Sequence, residues 1–368
     1  MKKVIIFSTA SQLYGSERGM LNLSRALKAR FDVWAVLNKR GLLQQRLEAE
    51  GIRVKVFPLS YLAFSFSPFF WVKNVALFFV NLMYFVYFIK DRNIDLVCSN
   101  NSLLLFPLFV SVLTRRPLIA FFRENYNRRF IQKSLAKLFL FFSHRLIFVS
   151  QNLRDLSEVK EKDAEVLYDC FSPSDFRYVE DVKRKWGIPE GKIVVSYISR
   201  LHPSKGQREF LEAVSRALSS IKRDVLFVVA GDTAPKSLRL HLYRRRLLSF
   251  IHCQSLQERV VLAGFRNINE LLSASDIIAY CPQKDEPWGL NILEALCWQK
   301  KTVLDIRGGL REITEEFDTS LVRQPFSSGA LAEEINRFSP VKQRRFVVPE
   351  KFSFAAYRAK LGEIISKI

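Results

Sequence analysis

Short apolar runs alternate with longer stretches of helical spacing along the whole chain. In the first half, Val4–Phe7, Val33–Leu37, Val54–Phe57, Leu96–Cys98, Leu118–Phe121 and Leu146–Val149 read as strands. Between the first two, Met20, Leu23 and Leu27 recur at helical spacing within Gly19–Arg30. Leu42–Glu50 is a second helix, stopped by Gly51. The pattern then restarts, with strands at Ile193–Ile198, Val225–Ala230, Val260–Leu262, Ile277–Tyr280 and Thr302–Asp305 and a helix at Phe210–Ile221. Phe354–Ile368 reads as a final helix. These strands are rich in Val and Ile, as strands covered on both faces are. Repeated strand–helix alternation predicts an α/β protein with parallel sheets.

A chain of 368 residues is long enough for two domains, each with its own core. Asp169–Gly191 breaks the alternation: it holds Pro173, Pro189 and several charges, and no long apolar run. The expected division is a first domain at 1–172, a linker at 173–187, a second domain at 188–350 and a C-terminal helix at 351–368. Two doubly wound domains would define a cleft. Ligands of such sheets bind beyond the carboxyl ends of the strands, so the loops that follow strands carry the chemistry.

One stretch departs from the pattern. Val56–Val72 and Asn74–Ile89 carry no charge, only Lys73 separates them, and both are strongly aromatic. Neither run reaches the roughly 20 apolar residues of a membrane span. The expectation is a nearly buried helix of the first domain. The alternative is a helix lying in a membrane interface, with Arg115, Arg116, Arg123, Arg128, Arg129 and Lys133 suited to anionic headgroups.

Composition is that of a folded protein, with 49% hydrophobic and 25% charged residues, which excludes disorder. Charge is less ordinary. The 57 Lys and Arg outnumber the 36 Asp and Glu, a net of +21, and favour contact with phosphates. A nucleic-acid partner is not expected, because no recognition helix, RNA-binding strand motif or basic repeat appears. The five cysteines fit no zinc pattern, and Cys98 and Cys281 sit in or beside apolar runs as core thiols. Odd, scattered cysteines point to a reducing compartment. The opening Met1-Lys2-Lys3 precedes too short an apolar run for a signal peptide. The expected location is cytoplasmic, with a peripheral position on the inner face of the membrane as the extension.

Three loops that follow strands carry chemistry. Ala10–Arg18 follows the first strand and enters a helix, so Gly15 and Ser16 could admit a phosphate to free backbone N–H groups. A plain turn explains the same residues. Ser199–Gly206 places Arg200 and Lys205 on one strand-to-helix loop, able to converge on a diphosphate or to stand as solvated cations. Asp285–Leu296 makes a turn at Pro287 and Gly289 and then starts a helix. Glu286 precedes that helix, and the N–H groups of Gly289, Leu290 and Asn291 are available to an anion. Glu294 lies about one turn in, either facing a diol or as an exposed helical acid.

Together these loops resemble the retaining GT-B glycosyltransferases, specifically glycosyltransferase family 4. The resemblance rests on Tyr14-Gly15-Ser16-Glu17-Arg18, on Arg200 and Lys205 before Gly206, and on Glu286 and Glu294 in that order. It implies a GT-B fold, two Rossmann-like domains facing a central cleft, with acceptor in the first, donor in the second and the terminal helix crossing back to the first. It implies that Arg200 and Lys205 hold the donor diphosphate, Glu286 the sugar and Glu294 the ribose. The amides after Trp288 (Gly289, Leu290, Asn291) would support the sugar and β-phosphate, Gly264-Phe265-Arg266 would border the base, and Gly15 and Ser16 would meet the diphosphate. The donor is expected to be UDP- or GDP-linked, the acceptor a saccharide or lipid-linked precursor of cell-envelope glycans, and no cofactor or metal is expected; no Asp-x-Asp motif is present. Many family members carry a His after the strand that ends at Phe122, where this chain has Arg123. Arg123 is read as an active-site cation, the alternative being a structural arginine paired with Glu124. A non-catalytic GT-B protein and a nucleotide-sugar epimerase of related fold are the rival functions.

Overall fold

The computed structural model describes residues 1–9, 15–62, 68–126, 128–160, 164–233, 237–340 and 346–368. They form two compact units: residues 1–171 with 350–368, and residues 172–349.

The first unit holds a seven-stranded sheet in the order β3-β2-β1-β4-β5-β6-β7. Its strands are β1 (Lys2–Ser8), β2 (Phe31–Leu37), β3 (Arg53–Val56), β4 (Leu96–Ser99), β5 (Leu118–Phe122), β6 (Arg145–Phe148) and β7 (Glu165–Val166). Every pairing is parallel, and Val4 lies between Val33 and Leu96. Val4, Ile5, Ile6 and Phe7 are all fully buried, so both faces of β1 are covered. This explains why β1 is a continuous apolar run rather than an alternating one. On one face, Met20, Leu23 and Leu27 of the helix Gly15–Lys28 pack with Tyr357, Leu361 and Ile364 of the C-terminal helix Phe354–Ser366. The chain returns to this unit through a bridge between Phe171 and Ser353.

The second unit holds a six-stranded parallel sheet in the order β10-β9-β8-β11-β12-β13. Its strands are β8 (Ile193–Ile198), β9 (Val225–Ala230), β10 (Val260–Gly264), β11 (Ile277–Tyr280), β12 (Lys301–Leu304) and β13 (Val322–Arg323). Strand order reverses between β8 and β11, which makes the loops after these two strands neighbours although they lie far apart in sequence.

Two expectations need correction. The segment 173–187 is not a free linker. It packs on the second unit, with Val182 buried, the Val179 amide donating to Ser273 Oγ at 2.9 Å and Lys183 Nζ donating to Asp276 at 2.6 Å. Nor is the aromatic stretch a nearly buried helix. Pro68–Arg92 forms one helix of 25 residues, and only Asn81, Phe85, Phe88 and Ile89 along it are buried. Its two asparagines point inward: Asn81 donates to Pro58 O at 2.8 Å and accepts from the Ser60 amide at 2.7 Å, while Asn74 bonds both backbone groups of Tyr61. Hydropathy records how apolar a stretch is, not which way its side chains face. Residues 63–67 of the stretch lie outside the described residues.

Candidate functional site

In the second unit, the loops after β8, β9, β10 and β11 are joined at the carboxyl edge of the sheet. The Ser199 amide donates to Ala230 O at 3.0 Å, the Leu201 amide to Asp232 O at 3.1 Å, and the Gly231 amide to Gly264 O at 2.8 Å. Asn291 Nδ2 donates to Ile198 O at 2.7 Å, and the Gln283 amide to Ser204 O at 3.0 Å. The loops thus form one hydrogen-bonded ledge on a rigid sheet, the arrangement that places functional groups accurately.

Two tyrosines support it from below. Tyr197, next to last in β8, donates its hydroxyl to Lys205 O and accepts from the Cys281 amide at 3.1 Å. Gly206 has φ +78°, and a Cβ there would sit 1.9 Å from Cys281 O, so only glycine lets the two loops meet. Tyr280, the last residue of β11, donates to Glu286 Oε2 at 2.7 Å. Its burial and the nearby Glu286 carboxylate push the phenol well above its ordinary pKa, so it stays a donor.

Lys205 and Glu286 meet on this ledge. Lys205 Nζ lies 2.7 Å from each carboxylate oxygen, with the two side chains 23% and 12% exposed. The Glu286 backbone is fixed as well, bridging to Gly308 and accepting from the Gly309 amide at 2.8 Å. Gly308 has φ +62°, and a Cβ there would lie 2.4 Å from Glu286 O.

Arg200 is exposed at the front of its loop, and its carbonyl accepts from Gln207 Nε2 at 2.8 Å. Near it, His202 caps the short turn Pro203–Lys205, its Nδ1 accepting from the Ser204 amide at 3.2 Å. Burial and the surrounding charges of Arg200, Lys205, Arg239 and Lys284 lower His202 to about 4. The imidazole is therefore neutral at pH 7. The cations around it are of the kind a phosphate group offsets.

Gly289 precedes the helix Leu290–Cys297 at φ +106°. Trp288, Leu290 and Glu294 are buried, and Asn291 is half-buried. Glu294 is thus not an exposed helical acid: it is 4% exposed. Gly264 ends β10 at φ +66°, with Phe265 and Arg266 exposed beyond it.

In the first unit, Gly15 opens the helix Gly15–Lys28, with Gly15 exposed and Ser16 half-buried. Ser16 O accepts from Asn100 Nδ2 at 3.1 Å, and Asn101 Nδ2 donates to Thr9 Oγ1 at 2.7 Å. The loop after β4 thus holds the loop after β1. Residues 10–14, including Tyr14, lie outside the described residues.

Arg123, just past β5, is buried. Its Nη1 donates to Asp169 at 2.5 Å, and its guanidinium lies over the Phe121 ring at 5.0 Å. The partner is therefore Asp169, not Glu124. Burial disfavours the guanidinium charge, but Asp169 outweighs it and the pKa is raised. Glu124 instead accepts from the Ser102 amide at 3.0 Å and hydroxyl at 2.6 Å; burial still pushes its carboxyl upward. A Cβ on Gly19 would lie 2.5 Å from Arg123 Nη1, so the helix Gly15–Lys28 reaches this arginine at a glycine.

Comparison with known proteins decides the family. The model described as glycosyl transferases group 1 matches residues 179–345, and that described as glycosyltransferase family 4 matches residues 14–168. The chain belongs to the GT-B glycosyltransferases and resembles family 4. HepE from Anabaena, solved in complex with UDP-glucose, superposes over 100% of both chains with a TM-score of 0.81 at 21% identity. The alpha-D-kanosaminyltransferase of Streptomyces kanamyceticus is 26% identical over 43% of this chain and 39% of its own. This GT-B chain spans less than half the length of the first curated relatives it matches. A longer match, at 26% identity over 80% of this chain and 78% of the relative, is to a Campylobacter jejuni enzyme. Its name is N,N'-diacetylbacillosaminyl-diphospho-undecaprenol alpha-1,3-N-acetylgalactosaminyltransferase.

Sequence reading of this glycosyltransferase chain missed Tyr197, Tyr280, His202, Arg239, Lys284 and the pair Gly308-Gly309. Tyr197 and Tyr280 end apolar strands and read as core. Position at the carboxyl end of a predicted strand was the signal that could have singled them out.

Proposed function

We propose that this chain transfers a glycosyl group from a UDP- or GDP-linked sugar to a hydroxyl of a saccharide or lipid-linked acceptor, with retention of configuration and without a metal. The observation that carries the proposal is the Lys205–Glu286 pair on a ledge that also concentrates Arg200, Arg239 and Lys284 around a neutral His202.

The donor's diphosphate lies against Arg200 and Lys205, and its charge grows as the bond from anomeric carbon to phosphate oxygen breaks. Preorganised cations lower the cost of that charge. The acceptor oxygen bonds to the anomeric carbon, and its proton passes to a phosphate oxygen of the departing nucleoside diphosphate. Glu286, fixed by Tyr280 and Lys205, meets the sugar hydroxyls. Buried Glu294 meets the ribose, the amides of Gly289, Leu290 and Asn291 the sugar and β-phosphate, and Gly264-Phe265-Arg266 borders the base. Arg123, buried on Asp169, enters as a positioning residue. The lipid-diphosphate in the name of the Campylobacter relative supports a lipid-linked acceptor in envelope glycan synthesis. The five free thiols suit a cytoplasmic protein.

Proton NMR of the product from an α-linked donor tests the reading. An α-linked product is expected; a β-linked product contradicts retention. Tight donor binding with no release of nucleoside diphosphate in the presence of acceptor lipids points to a donor-sensing protein instead.

A further inference from the structure

The helix Pro68–Arg92 is amphipathic in the wrong sense for a water-exposed surface. Its asparagines face the protein, whereas Val72, Val75, Phe79, Met83 and Tyr87, spaced three or four residues apart, face outward. Phe69 is 76% exposed and Met83 75%. From Asn74 to Ile89 the helix carries no charge, and exposed Lys73 and Lys90 bracket that span.

The apolar surface continues onto two more helices. Phe78 meets Phe109 of the helix Phe106–Thr114 with ring centroids 5.6 Å apart. Phe109 in turn meets Phe142 of the helix Arg129–Phe142 at 5.4 Å. Val112 and Leu113 are exposed on the second helix, and Phe130 and Phe141 on the third. Neither of these helices contains an acidic residue. Exposed Arg115 follows the second, exposed Arg128 and Arg129 open the third, and Lys137 stands on the same turn-to-turn stripe as Phe130 and Phe141. Of the basic residues expected at such a face, Arg123 and Lys133 are excluded, being paired with Asp169 and Glu158.

An exposed aromatic face that runs over three helices, with cations and no acidic group among its named residues, marks an interaction surface rather than one left to water. It matches the chemistry of a bilayer interface: acyl chains for the aromatics, anionic headgroups for the rim. We propose that this three-helix face docks the first unit flat on an anionic lipid surface, with Phe79, Met83 and Phe141 inserted and Arg115, Arg128, Arg129 and Lys137 on the headgroups. A transmembrane crossing is not the mode, although Pro68–Arg92 is long and apolar enough for one. Crossing would pull Phe85, Phe88 and Ile89 out of the core and strip Asn81 of its loop partners. The proposal stands apart from glycosyl transfer, since its residues belong to the first unit and the candidate donor ledge to the second.

Sedimentation of the full chain with vesicles of phosphatidylcholine, with and without phosphatidylglycerol, is the test. The wild-type chain should co-sediment with the anionic vesicles, and less so as salt rises. Phe79→Ser/Met83→Ser should partition about tenfold less or worse, and so should Arg115→Glu/Arg129→Glu. These are surface positions, and unchanged circular dichroism with unchanged nucleotide-sugar binding would show that fold and donor site persist. Three results overturn the proposal: wild type remaining in solution with anionic vesicles, resistance of bound protein to alkaline carbonate extraction, or a stable dimer that Phe79→Ser/Met83→Ser converts to monomer.

Discussion

Lys205 Nζ sits 2.7 Å from both carboxylate oxygens of Glu286, across 81 residues of sequence. The pair is the meeting point of the β8 and β11 loops, and Tyr280 supplies a third contact to the same carboxylate. Removing that contact alone tests its weight. Tyr280→Phe keeps the ring and deletes one hydrogen bond to a charged group, so turnover should fall by about 10- to 100-fold. Steady-state kinetics with unchanged thermal stability would show it; an unaltered kcat would mean that Glu286 needs no such support.

Gly308 tests the same carboxylate from behind. Its missing Cβ leaves room for the Glu286 carbonyl, which a methyl group would meet at 2.4 Å. Gly308→Ala should shift Glu286 and lower kcat/KM by about hundredfold, with the fold intact by circular dichroism. Wild-type kinetics in that variant would contradict the assigned position.

His202 provides a pH readout. Its folded pKa, lowered to about 4, lies below the ordinary value of 6.5. Between these values the unfolded chain binds the proton more readily than the folded one. The associated stability is therefore complete above pH 6.5 and is lost as pH falls toward 4. In NMR titration one of the four histidines should titrate near 4, and a bound nucleoside diphosphate should move it upward by offsetting the surrounding cations. Titration of His202 near 6.5 in the free protein would contradict its burial among these cations.

Arg123 and Asp169 are both buried, so the loss of either leaves an uncompensated charge. Arg123→Met should lower unfolding stability by about 3 kcal/mol or more, and Arg123→Met/Asp169→Leu should recover most of it. Urea unfolding measures both. An unchanged midpoint in the single variant would show that the pair carries no structural role.

Much of the fold was legible because fully covered parallel strands announce themselves: Val225–Ala230 and Ile277–Tyr280 are apolar throughout, and Ile193–Ile198 is broken only by Ser196. The two-residue strands β7 and β13 were not legible, since each is short and pairs on one side only at the edge of its sheet. The individual site loops were visible as motifs after strands. Their joining was not, because it depends on β8 and β11 being neighbours, a property of strand order rather than of local pattern. The same limit hid the partner of Arg123. Asp169 lies 46 residues away, whereas Glu124 is adjacent in sequence and was the natural candidate. Orientation was the third blind spot: the composition of Pro68–Arg92 showed an apolar helix but not that Asn74 and Asn81 would turn inward.

Binding of a nucleotide sugar to the β8–β11 ledge is open to direct measurement. The direct measurement is thermal unfolding of the wild type, Arg200→Ala and Glu294→Ala against a panel of UDP- and GDP-sugars. A ligand present at about a hundred times its Kd should stabilise the wild type by about 2.7 kcal/mol. At least one nucleotide sugar should raise the wild-type melting temperature, and both variants should lose most of that shift. No shift with any nucleotide sugar at millimolar concentration, or a full shift in both variants, would contradict binding at the ledge.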